Sequence, residues 1–230
     1  MAEHHLPGSP PVPVLLRRSA RARRISLRVS QLDGRVTLTV PRGVSEAEAL
    51  DFALSKSDWV RGHLASRQGD VAVTQGAVLP VEGRPRRVIC EATRRVRLEE
   101  DALILPADRP GLRAQAFLRE MARDRLAAAS DRHAATLGRG YTRLTLRDTR
   151  SRWGSCSSAG ALMYSWRLVL APPEILDYVA AHEVAHLAEM NHSPAFWAQV
   201  DRLYGPHDRA RAWLRNEGST LHRYRFESAG

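Results

Sequence analysis

The run His182-Glu183-Val184-Ala185-His186 constrains this chain more than any other stretch. On a helix, His182 and His186 lie one turn apart on one face, and both imidazoles reach a single metal ion. Glu183 then sits beside the first ligand, where its carboxylate faces a water on that metal. The residues just before, Pro172 to Ala181, read as helix: two prolines open it, and Ile175, Leu176, Val179 and Ala180 follow at helical spacing. The motif therefore lies inside a mostly apolar helix, where an imidazole pair needs a partner.

The pattern is the H-E-x-x-H signature of zinc hydrolases, in which the glutamate is the general base. A catalytic zinc takes three protein ligands and keeps a position open. His192 is the expected third. Asn191 tolerates a left-handed backbone that stops the helix, and Ser193-Pro194 reads as N-cap and first residue of the next one. His192 is left in the turn between them. Its rivals are two downstream carboxylates, Glu217 and Glu227. The 182/186/192 spacing equals that of the metzincins, which have glycine where this chain has Glu189. Candidates for stabilising an oxyanion are Tyr178, His207, Arg152 and Tyr204. Glu189 and Asp201 are candidates for orienting a ligand ring.

A chain of 230 residues can bury a substantial core as one large domain or two small ones. No apolar run is long enough to span a bilayer. Met1 to Pro13 lacks the pattern of a secretory signal, and its prolines predict a disordered tail. Two cysteines, Cys90 and Cys156, make no disulfide framework; free thiols in a reducing cytoplasm are expected. The net charge is +10, and Lys56 is the one lysine. Such basicity fits a nucleic-acid partner, but the arginines are dispersed along the chain and also fit a compositional bias with no functional content.

The pattern along the chain is β-rich first and mixed later. Ile25 to Val29 and Val36 to Val40 alternate around Asp33-Gly34, a hairpin with a basic outer face. A capping box at Ser45 opens a helix to about Arg67. Short strands follow at 71–73, 78–81, 88–90, 96–98 and 102–105. Gly111 to Gly138 reads as one long amphipathic helix, with His133 on it. A strand near Leu144 precedes a second hairpin, which contains Trp153 and Trp166 and leads into the metal helix. In a peptidase such a hairpin offers an edge strand to an extended substrate. Residues 194–204 and 208–216 read as two closing helices.

The runs Arg152-Trp153-Gly154-Ser155-Cys156 and Asn191-His192-Ser193 with Phe196-Trp197, around the H-E-V-A-H core, closely resemble the YgjP-like metallopeptidases, relatives of the SprT-like zinc peptidases. Arg24 to Arg28 and Ser57-Asp58-Trp59 are similar to the family's N-terminal part. One departure is Tyr164-Ser165-Trp166, where an asparagine is expected before the tryptophan. The resemblance implies a zincin-like α+β catalytic domain with zinc on His182, His186 and His192 and with Glu183 as base. The expected division is a disordered tail (1–14), a small β-rich N-terminal part (15–107), the catalytic domain with its β-hairpin and H-E-x-x-H helix (108–218) and a basic tail (219–230).

The expected function is zinc-dependent hydrolysis of a protein or peptide substrate in the cytoplasm, with no membrane association. Two alternatives are a metal-dependent phosphohydrolase of nucleoside triphosphates and a nucleic-acid-binding protein with structural zinc. The first lacks a glycine-rich phosphate loop. The second lacks the fourth protein ligand that closes a structural zinc site.

Overall fold

From Val12 to Leu16 every second side chain is buried, the period of a strand with one covered face. The computed structural model describes residues 2–30, 33–65 and 69–227. They fall into two units, Met1–Gly69 and Asp70–Gly230. The divide expected near residue 107 lies instead at Gly69, because the strands after Asp70 share their core with the long helix.

The first unit contains β1 (Ala2–Leu6), β2 (Val12–Arg18), β3 (Ser26–Val29), β4 (Val36–Val40), α1 (Glu46–Ser55) and α2 (Ser57–Ala65). Its sheet runs β1-β2-β4-β3. The disordered tail expected over 1–14 is corrected here: β1 pairs antiparallel with β2, and β2 pairs parallel with β4. Leu6, Val12, Val14 and Leu16 are buried with Val36, Leu38 and Val40, and that burial outweighs the local preference of the prolines. Ser45 caps α1 as the capping box predicts, accepting from the Glu48 amide at 3.1 Å. The single helix expected to Arg67 is two, interrupted at Lys56; residues 66–68 lie outside the described set.

The second unit starts with β5 (Val71–Ala72), β6 (Val78–Val81), β7 (Arg84–Glu91), β8 (Arg97–Leu98) and β9 (Ala102–Pro106). Four of these form the sheet β6-β7-β9-β8. Then come α3 (Pro110–Leu137), β10 (Arg143–Arg147), β11 (Gly154–Cys156), β12 (Ala161–Ser165), α4 (Pro173–Ala185), α5 (Pro194–Leu203), α6 (Asp208–Asn216) and β13 (Tyr224–Arg225). β13 pairs with β5, so part of the expected basic tail is a strand. Gly138 closes α3 at φ 74°, a left-handed cap that glycine adopts without strain.

The sheet β10-β12-β11 carries the site. The expected hairpin is β11 with β12; β10 joins by pairing parallel to β12. Leu146, Leu162 and Tyr164 bury one face of it against α3 and α4. Tyr164 and Ser130 share a hydroxyl hydrogen bond of 3.1 Å in that core. Two polar clamps fix the frame. Asp177 of α4 accepts from Arg132 at 2.8 Å and bonds the buried His133 at 2.9 Å, tying α4 to α3. Arg167, 6% exposed, donates two hydrogen bonds to Asp148 and two more to the carbonyls of Leu221 and Tyr224. His133 is thus a packing residue. Trp166 is fully buried and Trp153 half-buried against His222.

Candidate metal centre

His182 enters the site from the last turn of α4, and His186 caps that helix. The helix stops one turn earlier than the sequence suggests. Asn191 is not left-handed. Its side chain instead accepts from the Ser193 amide at 3.1 Å, shaping residues 187–193 into a loop that carries His192 back. Arg139 donates to the Leu187 carbonyl at 3.0 Å and anchors the start of that loop. Ser193 and Pro194 open α5 as expected: the Ser193 hydroxyl accepts from the Phe196 amide.

The three imidazoles converge. One ligand atom from each of His182, His186 and His192 lies within 4.8 Å of the others, the one such group among the described residues. His182 Nε2 and His192 Nε2 are 3.1 Å apart. His186 Nδ1 lies 2.9 Å from the Glu189 carbonyl. A proton on Nδ1 donated there leaves the Nε2 lone pair aimed at the other two rings. Glu189 thus orients a ring through its backbone and not its carboxylate. Asp201 bonds His207 at 3.0 Å and not one of the three rings. Glu217 and Glu227 stand outside the cluster.

Electrostatics favour neutral rings. Burial pushes His182 down to about 3, with repulsion from His186 and His192 adding to it. Burial also lowers His186, and the bond to Glu189 partly opposes this. A neutral imidazole is the form that binds a metal, and three imidazoles brought to one point make a donor set for a cation. A hydrogen bond would serve only one pair among three nitrogens; a cation serves all three.

Glu183 is 6% exposed and lines the same cleft of about 250 Å3, with Gly154, Cys156 and Met190. Burial pushes its carboxyl up to about 8, against the pull of Arg152. An ideal Cβ placed on Gly154 would lie 2.6 Å from Glu183 Oε1, so β11 passes directly against the carboxylate. In the sequence Gly154 and Cys156 stand out only as part of the Arg152 to Cys156 run. Their place in the cleft depends on a chain crossing that no local pattern encodes.

β11 is an edge strand, and its free groups follow from the ladder. Ser165 N donates to Trp153 O, and Ser157 N to Ala161 O. In an antiparallel pair the bonded positions alternate, so 153, 155 and 157 face β12. The amides and carbonyls of Gly154 and Cys156 therefore point away from β12, along the rim of the cleft. Of the oxyanion candidates, Tyr204 donates to the Glu174 carbonyl and His207 stacks on Trp197 and Tyr178. None of the four lines the cleft.

The sequence from 23 to 217 matches the family described as YgjP-like, metallopeptidase domain. The chain belongs to this family. The match covers residues of both units and includes the three converging histidines and the buried Glu183. The α+β architecture of the resemblance holds. Among solved structures, the chain is similar to the metallopeptidase zymogen of Pyrococcus abyssi abylysin, at 20% identity and a TM-score of 0.37, over 43% of this chain and 97% of that one. No curated protein matches. No helix among the described residues is long and apolar enough to cross a membrane.

Proposed function

We propose that this YgjP-like protein is a zinc-dependent peptidase, with His182, His186 and His192 as ligands and Glu183 as general base. The convergence of three imidazoles beside a buried glutamate carries this reading. Zinc bound there supplies a Lewis acid, which acidifies water towards a pKa of about 7 and polarises a carbonyl.

The chain's own residues do the rest. Gly154 and Cys156 pair their outward amides and carbonyls with an extended peptide, which lays the scissile bond across the cleft mouth. Main-chain pairing grips many sequences alike. The charge of a bound cation would bring the Glu183 carboxyl back to its ionised form, in which it would take a proton from water and deliver it to the leaving amine nitrogen. The side chain is held by the close pass of β11 over it. The Glu189 carbonyl keeps the His186 ring turned inward. Two unpaired thiols, Cys90 and Cys156, suit a reducing compartment such as the cytoplasm.

The test compares the wild type with Glu183→Gln on a casein-like protein and on nucleoside triphosphates, after measuring bound metal. Expected are bound zinc in both and proteolysis reduced by about a hundredfold or more in the variant. Cleavage of nucleotides alone would overturn the reading in favour of a phosphohydrolase. Zinc without either activity, with DNA affinity that falls steeply as salt rises, would make the protein a nucleic-acid binder.

A further inference from the structure

We propose that the outer face of the β10-β12-β11 sheet is a subsite for acidic side chains of the peptide held at the β11 edge. The inference rests on the peptidase reading for its orientation and extends it to substrate class.

Strand alternation sorts the sheet into two faces. Leu146, Leu162 and Tyr164 go to the core. Arg143, Thr145, Arg147 and Met163 share the opposite face with Ser155, since Ser155 pairs with Met163 and Met163 with Thr145. There they line a groove of about 460 Å3, joined by Arg152 at the entry to β11. No aspartate or glutamate lines it. Arg143, Arg147 and Arg152 form no salt bridge among the described residues, whereas Arg113, Arg125, Arg132, Arg167 and Arg225 of the same unit each have a carboxylate. Arg143 and Arg147 face no carboxylate in the groove, while Arg152 also pulls on Glu183, so cationic charge is left over there and an anionic ligand offsets it.

The groove adjoins the cleft at β11, because Ser155 and Cys156 line both. A peptide paired to Gly154 and Cys156 sends alternate side chains to the Ser155 side. Aspartate or glutamate at those positions meets guanidinium groups that bind carboxylates two bonds at a time. A nucleic acid fits less well. The rim offers both amides and carbonyls, which a peptide backbone matches and a phosphodiester chain, lacking donors, does not. No aromatic side chain lines the groove for bases to stack on.

The test uses the full-length Glu183→Gln protein and two fluorescein-labelled peptides of equal length, one with glutamate and one with glutamine at alternate positions. Anisotropy should show the glutamate peptide binding about tenfold tighter at low salt. That advantage should shrink as salt rises and vanish in the Arg143→Gln/Arg147→Gln background, with binding of the glutamine peptide unchanged. Equal binding of the two peptides by the parent would overturn the proposal. So would a double variant that loses affinity for a single-stranded DNA oligomer and keeps the peptide preference. The salt series on the parent judges the idea without relying on the variant's folding. A charge preference in binding with no peptide cleaved by the wild type would sink the peptidase reading and leave this subsite standing. Cleavage of both peptides at equal rates by the wild type would do the reverse.

Discussion

Gly154 and Glu183 exclude a side chain between them: a Cβ on Gly154 would stand 2.5 Å from Glu183 Cγ and 2.6 Å from Oε1. The backbone at Gly154 is fixed by the bonds of its neighbours to β12, so the Glu183 side chain must give way. Gly154→Ala should displace the carboxylate and leave the three histidines untouched. Steady-state kinetics should show kcat lowered by about tenfold or more, with zinc content and KM near the parent values. An unchanged kcat would mean that the carboxylate is not held by this contact.

Arg139 touches no ligand, yet its bond to the Leu187 carbonyl sets where the His192 loop begins. Arg139→Ala should weaken zinc binding by about tenfold, as loss of a supporting contact does at other metal sites. Competition against a chromogenic chelator measures it. The thermal midpoint of the metal-free protein should stay nearly constant, because the arginine is exposed.

Asp148 neutralises a guanidinium that is otherwise buried, so its removal strands a charge. Asp148→Ala should cost about 3 kcal/mol in urea denaturation. The loss should be smaller in an Arg167→Met background, where no charge is left to strand, and the double-mutant cycle gives the coupling.

His222 sets an acid limit on stability. Burial pushes it down to about 4, with Arg167, Arg150 and Arg225 adding to the shift and Asp148 opposing it. Its folded value lies below that of the unfolded chain, so the unfolded state takes the proton first. Stability is therefore complete above about pH 6.5 and falls as the pH drops towards 4. The loss from pH 8 to pH 5 should be about 2 kcal/mol from this group. His222→Phe should flatten that part of the profile. A variant with the parent's slope would assign the acid sensitivity elsewhere.

Local chemistry made much of the fold legible. Ser45, Ser193 and Gly138 cap helices where the sequence predicts caps, since each acts within one turn of itself. The His182 and His186 pair was legible for the same reason. His192 was reachable by its short loop, although the turn works through the Asn191 side chain and not a left-handed backbone. Distant partners were not legible. β2 is a strand because β4, more than twenty residues on, covers it, and the proline-rich run around it points the other way. β10 lies parallel to β12 across the intervening β11, so neither the cationic face nor the free rim of β11 is visible in any window of sequence.

The central claim is that three imidazoles hold one zinc ion, and anomalous scattering from a crystal of the purified protein at the zinc edge tests it most directly. The account predicts one peak, about 2.0–2.1 Å from Nε2 of His182, His186 and His192 alike. A peak bonded to only two of these rings, or one completed by Glu217 or Glu227 in place of His192, would contradict it.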